Sequence, residues 1–167
     1  MVGVDIIKDN PKKLINKINK LKNFDILITT GGISEGKYDI VKNSLDKINI
    51  KVIFDKVLIK PGKPTTFGKF DNKKFFLGLP GNPVSCFMSM LNFFPIYINK
   101  FYGTDIVKIN HQMLRSKNFL NKNGRLTTFQ RVKRIGDKFE IFHTQDSSMQ
   151  NILSKSDGII MRNSFDD

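Results

Sequence analysis

One stretch limits what this chain can fold into more than any other: FFLGLPGNPVSCF, residues 75–87. An apolar run of strand length ends in Pro80-Gly81-Asn82-Pro83, and a second apolar run begins at once. Proline fixes φ and glycine reaches φ values that other residues avoid, so these four residues make a stiff turn. A buried strand joined to a buried helix by so short a link requires a sheet with a helix packed beside it. The turn itself is either a plain connection or a holder for a ligand at the helix start.

The rest of the pattern extends this layered reading. Residues 2–7 read as a short strand. Asp9-Asn10-Pro11 reads as a helix start, a capping side chain followed by proline in the first turn, with Leu14, Ile15, Ile18 and Leu21 at helical spacing behind it. Residues 25–30 (DILITT) form a β-branched strand that ends at Gly31-Gly32. A helix is predicted over 39–48, with Ile40, Val41, Ser44, Leu45 and Ile48 on one side. A strand follows at 51–59, the loop KPGKP at 60–64, a strand at 73–79, and a helix from 83 to about 100 with a kink at Pro95.

Strands alternating with helices predict an α/β fold, a mostly parallel sheet covered on both faces in three layers. The alternation stops near residue 104. Beyond it, strands are expected at 106–110, 126–135 and 139–144, with a hairpin turn at Gly136-Asp137. A short helix at 148–153 and a last strand at 158–161 complete the pattern. The expected division is an α/β domain over residues 1–104 and a small β domain over 105–167.

Composition narrows the function classes. With 40 % hydrophobic and 26 % charged residues among 167, the chain can bury a core. Its net charge of +13 suits nucleic acid, an anionic membrane surface or a small anion. The lysines are scattered and no aromatic residues sit in a basic frame, so neither a nucleic-acid nor a membrane partner is expected. Residues 83–98, the most apolar run, contain Asn92 and Pro95 and are too short to span a bilayer. The single cysteine, Cys86, lies in an apolar run, reads as a core residue and fits a reducing, cytoplasmic setting. His111 and His143 stand apart without companion ligands, which argues against zinc.

Ligands of an open parallel sheet bind beyond the carboxyl ends of its strands. Three loops leave such ends here: TTGGISEGKYD (29–39), KPGKPTTFG (60–68) and PGNPVS (80–85). In the first, glycines let a phosphate or pterin approach backbone N–H groups, Ser34 adds a hydroxyl, and Asp39 could hold Mg²⁺ through oxygen. A strand-to-helix turn with Asp39 as its cap accounts for the same residues. In the second, Lys60 and Lys63 on a proline-stiffened loop form an oxyanion clamp, or else two solvated lysines. In the third, Asn82 caps a helix, Pro83 suits its first position, and Ser85 lies in the first turn, where anions are attracted. Together the three loops predict a pocket at one sheet edge for a phosphorylated or oxyanionic small molecule.

In order and spacing, TTGGIS with its following glycine and aspartate, KPGKP with its following FG, and GLPGNPVS resemble the C-terminal part of the molybdopterin molybdenumtransferases, the family that includes the gephyrin E-domain. Related pterin-binding proteins continue the TTGG strand with Thr-Gly or Gly-Pro-Thr, whereas this chain continues Ile33-Ser34-Glu35-Gly36. The resemblance is strong over residues 1–104 and weak beyond. It implies insertion of molybdate into adenylylated molybdopterin with release of AMP, with Mg²⁺ as cofactor and Asp39 as its carboxylate ligand. It implies that Ser34, Lys60, Lys63 and Ser85 hold molybdate and phosphate, Lys60 and Lys63 counting with Asp39 as catalytic. Thr30, Gly31, Gly32, Gly36, Pro61, Gly62, Pro80, Gly81, Asn82 and Pro83 would shape the substrate pocket, with Asp9 near it. In the β region FQRV and DSSM resemble the family's arginine strand and Ser-Ser segment, which brings Arg131 and Ser147 or Ser148 toward the site.

Family members are homodimers. Their α/β domain begins with a further strand and helix, two more domains precede it, and their β domain runs on past Asp167. The resemblance therefore implies a C-terminal fragment of the enzyme with an incomplete β domain. A non-catalytic module that binds pterin or a protein partner is the alternative.

Overall fold

The computed structural model describes residues 3–33, 39–105, 107–109 and 111–165. Packing groups the chain into two compact units. One comprises Met1–Val57 and Pro64–Gly81, the other Leu58–Lys63 and Asn82–Asp167. The long apolar helix, assigned by sequence to the α/β domain, packs with the second unit.

The first unit opens with α1 (Pro11–Asn19). Its cap is Asn10, whose side chain accepts the Lys13 N–H, and Pro11 occupies the first turn. Leu14 and Ile18 are buried from this helix, as their spacing predicts. Residues 3–8 are not in a strand, a correction to the predicted strand at 2–7, since among the described residues no strand pairs with them. After β1 (Ile26–Thr30) the predicted helix over 39–48 is replaced by two 3₁₀ turns, Lys42–Ser44 and Asp46–Ile48. Val41, Ser44, Leu45 and Ile48 still point inward. Its Asn, Ser and Asp residues compete for backbone bonds, and Asn49 in the left-handed region ends it.

Next come β2 (Lys51–Asp55), β3 (Ile59–Lys60), β4 (Thr66–Lys69) and β5 (Phe75–Leu79). The first unit's sheet has the order β1-β5-β4-β2. Only β1 and β5 run parallel, with Ile26 opposite Phe75 and Thr30 opposite Leu79; β4 pairs antiparallel with both β5 and β2. Among the described residues the sheet is thus mixed rather than mostly parallel. The reason is β4, whose first three residues lie in the stretch 60–68 read as loop. It joins β5 through residues 70–74, too few for the crossover that a parallel pair needs. Leu14, Ile18, Ile33, Val41, Leu45, Ile48, Ile50 and Phe76 form the core of this unit.

The second unit contains β3, α2 (Pro83–Tyr102), β6 (Arg115–Ser116), β7 (Thr127–Ile135), β8 (Lys138–Ile141), α3 (Gln150–Ser154) and β9 (Gly158–Arg162). Its sheet runs β3-β7-β8-β6, with β9 also paired to β7. β7 and β8 form the expected hairpin, with Gly136 at φ +63°. Of the strand predicted at 106–110, residues 107–109 are not in a strand, and Ile106 and Asn110 lie outside the described residues. Val84, Met88 and Phe129 form the core, with Ile59, Leu153 and Ile159 packed on it. α2 continues through Pro95 and ends at Gly103, which is left-handed and donates to Asn99 O. Among the described residues no helix is long and apolar enough to cross a membrane.

Candidate functional site

In the first unit β1 and β5 end side by side, so the loops that leave them start from one edge. The Gly31 N–H donates to Leu79 O at 3.1 Å, and Thr30 Oγ1 donates to Pro80 O at 3.2 Å. Gly31 and Gly32 have φ of +81° and +67°, which favour glycine. A Cβ on Gly81 would lie 3.2 Å from Gly31 Cα. The edge is therefore bare backbone from two loops in near contact.

Asp39 is buried in the same unit, 3 % exposed. Its Oδ1 accepts the Lys42 N–H at 2.9 Å, and its carbonyl accepts the Asn43 N–H at 3.0 Å. Val41 N–H donates to Gly32 O at 3.2 Å, which ties this turn to the glycine loop. Asp39 caps the turn that Val41 ties to the glycine loop. The turn is further fixed by Lys42, whose ammonium pairs with Asp55 Oδ2, while Asp55 Oδ1 accepts from Thr66 Oγ1 at 2.9 Å. Burial pushes the Asp55 carboxyl up, but hydrogen bonds from Lys42 and Thr66 outweigh it and hold the pKa below the usual value. Asp9 is exposed just before α1, whose cap is Asn10. Ser34 and Gly36 lie outside the described residues.

In the second unit Lys60 and Lys63 are both exposed and flank Pro61 and a buried Gly62. The Lys60-Pro61 bond is cis, and Gly62 has φ +118°. Lys60 closes β3, paired with Thr128 of β7. Gly62 sits on α2: a Cβ there would lie 2.8 Å from Ser89 Oγ and 3.0 Å from Ile59 Cδ1. At the start of α2, Asn82 Oδ1 accepts the N–H groups of Val84 (3.2 Å) and Ser85 (3.4 Å), Pro83 takes the first position, and Ser85 is buried. This is the cap that the sequence predicts.

Arg131 is placed differently from the expectation that it reaches toward a ligand. Only 1 % exposed, it donates from Nη1 to Asp146 O (3.1 Å) and Met149 O (3.3 Å), and from Nε to Gln145 Oε1 (3.3 Å). Burial lowers its pKa, and the charge of Asp146 offsets only part of that. Its guanidinium is thus occupied in anchoring the segment that carries Ser147 and Ser148. Ser148 is exposed, and both its N–H and its hydroxyl donate to Asp146 Oδ1 at 2.8 Å. Sequence reasoning missed Gln145 and Ser89. A glutamine in a loop and a serine in an apolar helix carry no signal until their neighbours are known.

Among the described residues no three His, Cys, Asp or Glu side chains could together hold a metal ion. Asp39 offers one carboxylate. That suits Mg²⁺ only in its usual role beside substrate phosphates and water, not in a protein cage.

Comparison with known proteins agrees with these motifs. The family model described as "Probable molybdopterin binding domain" matches residues 1–99. The chain is 39 % identical over 101 residues to a molybdopterin molybdenumtransferase of Nostoc, covering 59 % of this chain and 23 % of that protein. It is 46 % identical over 79 residues to one of Haemophilus influenzae, covering 47 % of this chain and 19 % of that protein. The chain thus spans a quarter or less of the length of these relatives. Two crystal structures of a molybdopterin biosynthesis moeA protein of Pyrococcus horikoshii share the fold. Their TM-scores are 0.69 at 24 % identity and 0.70 at 15 %, covering 93 % and 95 % of this chain and 37 % of each of theirs. With 99 of its residues spanned by the family model and the glycine, lysine and proline loops in place, the chain belongs to the molybdopterin-binding domain family.

Proposed function

We propose that this chain is part of a molybdopterin molybdenumtransferase of molybdenum cofactor biosynthesis, acting in the cytoplasm. The complete enzyme would insert molybdate into adenylylated molybdopterin and release AMP. The observation that carries this reading is the edge where β1 and β5 end together and Gly31 lies against Gly81. There the bare backbone of Thr30, Gly31, Gly32, Pro80 and Gly81 gives a flat pterin both access and hydrogen-bonding groups. Asp39 would hold Mg²⁺ through its carboxylate, and the ion would supply positive charge to the substrate phosphate as AMP is released. Lys60 and Lys63, with Ser85 in the first turn of α2, serve oxyanions. Asp9, Ser34, Gly36, Pro61, Gly62, Asn82, Pro83 and Ser148 line or support the substrate sites, and Arg131 contributes by anchoring the Ser148 segment. The full-length protein works as a homodimer.

Calorimetric titration of molybdate into the chain tests the lysine assignment. Lys63→Ala weakens binding by about 1–3 kcal/mol if its ammonium contacts the anion, the range for hydrogen bonds to charged groups. Lys47→Ala is the control, because Lys47 is exposed. Equal affinities in parent and both variants would reduce the lysines to a solvated surface. Anion binding with no turnover in the full-length enzyme would favour the non-catalytic module.

A further inference from the structure

The geometry points to Ser89 as a positioning residue for the two-lysine loop, an inference that rests on the oxyanion reading of Lys60 and Lys63. The loop has two supports. At one end Lys60 is held in the β3–β7 ladder opposite Thr128, and the Ile59 side chain packs on the core of Val84, Met88 and Phe129. At its centre the loop rests on α2 at Ser89, which is 0 % exposed.

The contact is close enough to dictate both residues. A side chain at position 62 would meet Ser89 Oγ at 2.8 Å, so only glycine fits, and its φ of +118° excludes other residues independently. Ser89 in turn lies four residues after Ser85, on the same buried face of α2 as Val84, Ser85 and Met88. A helix this apolar would ordinarily bury a branched aliphatic side chain at such a position. One would push Gly62 outward and change the span between the lysines on either side of it. Alanine would leave the centre of the loop without its polar floor. Ser89 touches no substrate in this account. It sets the height of Gly62 over the helix, and Gly62 sets where Lys60 and Lys63 project.

Two measurements on the chain as it stands test this: molybdate affinity by calorimetry, and hydrogen exchange of the Gly62 and Lys63 amides. Ser89→Ala is expected to weaken molybdate binding roughly tenfold, as misplaced binding groups do, and to speed exchange at those two amides. Ser89→Thr, which keeps the hydroxyl but adds a branch that would push Gly62 outward, restores neither. A merely structural serine would lower the melting temperature in Ser89→Ala while leaving affinity and local exchange at the parent values, and that result overturns the proposal. If the parent itself binds no molybdate, the oxyanion reading has failed, and exchange alone decides: faster exchange in Ser89→Ala upholds the positioning role, unchanged exchange ends it. Should Ser89→Ala not fold, Ser89→Cys, similar in size with a weaker donor, is read in the same way.

Discussion

Arg131 and Gln145 grip each other through main chain and side chain: Gln145 Oε1 accepts the Arg131 N–H at 2.9 Å and Nε at 3.3 Å, and Gln145 Nε2 donates to Arg131 O at 3.0 Å. The side-chain amide stands in for a strand beyond the end of β8, and also donates to Phe142 O at 2.9 Å. The guanidinium is left to hold the carbonyls of Asp146 and Met149. Gln145→Ala strips the buried Arg131 N–H of its side-chain partner and leaves Arg131 O to the Phe142 N–H at 3.3 Å. It should destabilise the second unit by about 1–3 kcal/mol, the desolvation penalty of unsatisfied polar groups. Urea denaturation checks this, and an unchanged midpoint would mean that water replaces the amide without loss.

Asp55 sets a pH dependence whose sign is fixed. Its folded pKa lies below the unfolded value because the bonds from Lys42 and Thr66 outweigh burial. The stabilisation is therefore present above the unfolded pKa of about 4 and is lost as pH falls through the lower folded value. The pair is partly exposed, at 37 % for Lys42 and 30 % for Asp55, so the effect of Asp55→Asn at neutral pH is only about 0.5–1 kcal/mol. The gap between parent and variant should close on acidification below about pH 4. A gap of the same size at pH 3 and pH 7 would rule out the charge as its source.

Asp39→Asn separates the capping role from the chemical one. Asparagine keeps an oxygen to accept the Lys42 N–H, so the turn that follows should survive. It lacks the charge that a cation or a polarised water requires. In the full-length enzyme, turnover should fall roughly tenfold or more while pterin affinity changes little. Binding and turnover measured on one preparation give the answer, and unimpaired turnover would remove Asp39 from the reaction.

Gly81→Ala probes the bare edge directly. The added methyl would sit 3.2 Å from Gly31 Cα, against backbone that cannot swing away as a side chain would. Overpacking of this kind costs about 1–3 kcal/mol, and here it also fills the approach to the glycine loop. Pterin binding to the variant, followed by fluorescence, should weaken by more than the loss in stability accounts for. Full affinity would move the pterin away from this edge.

Local chemistry made much of the fold legible. Asn10-Pro11 and Asn82-Pro83 start helices because a capping oxygen and a fixed φ act within a few residues. Gly136-Asp137 turns a hairpin for the same kind of reason. The segment 39–48 was only half legible: its apolar face was read correctly, yet helix and 3₁₀ turn bury that face equally, and backbone competition from Asn, Ser and Asp decided between them. β4 was missed because four residues after a proline-rich loop carry no periodicity of their own.

The sequence by itself determined the three motif loops, the two capped helices, the strands DILITT and FFLGL, and through these the family. Each of those follows from residue types acting on near neighbours or from a spacing that tolerates few alternatives. Only the tertiary structure decided that β4 turns the sheet mixed, that α2 packs with the strands after residue 104, that Arg131 points inward to Asp146 and Met149, and that Gly62 rests on Ser89. These depend on contacts between residues tens of positions apart, where the free energy comes from buried area and satisfied polar groups that no single segment contains.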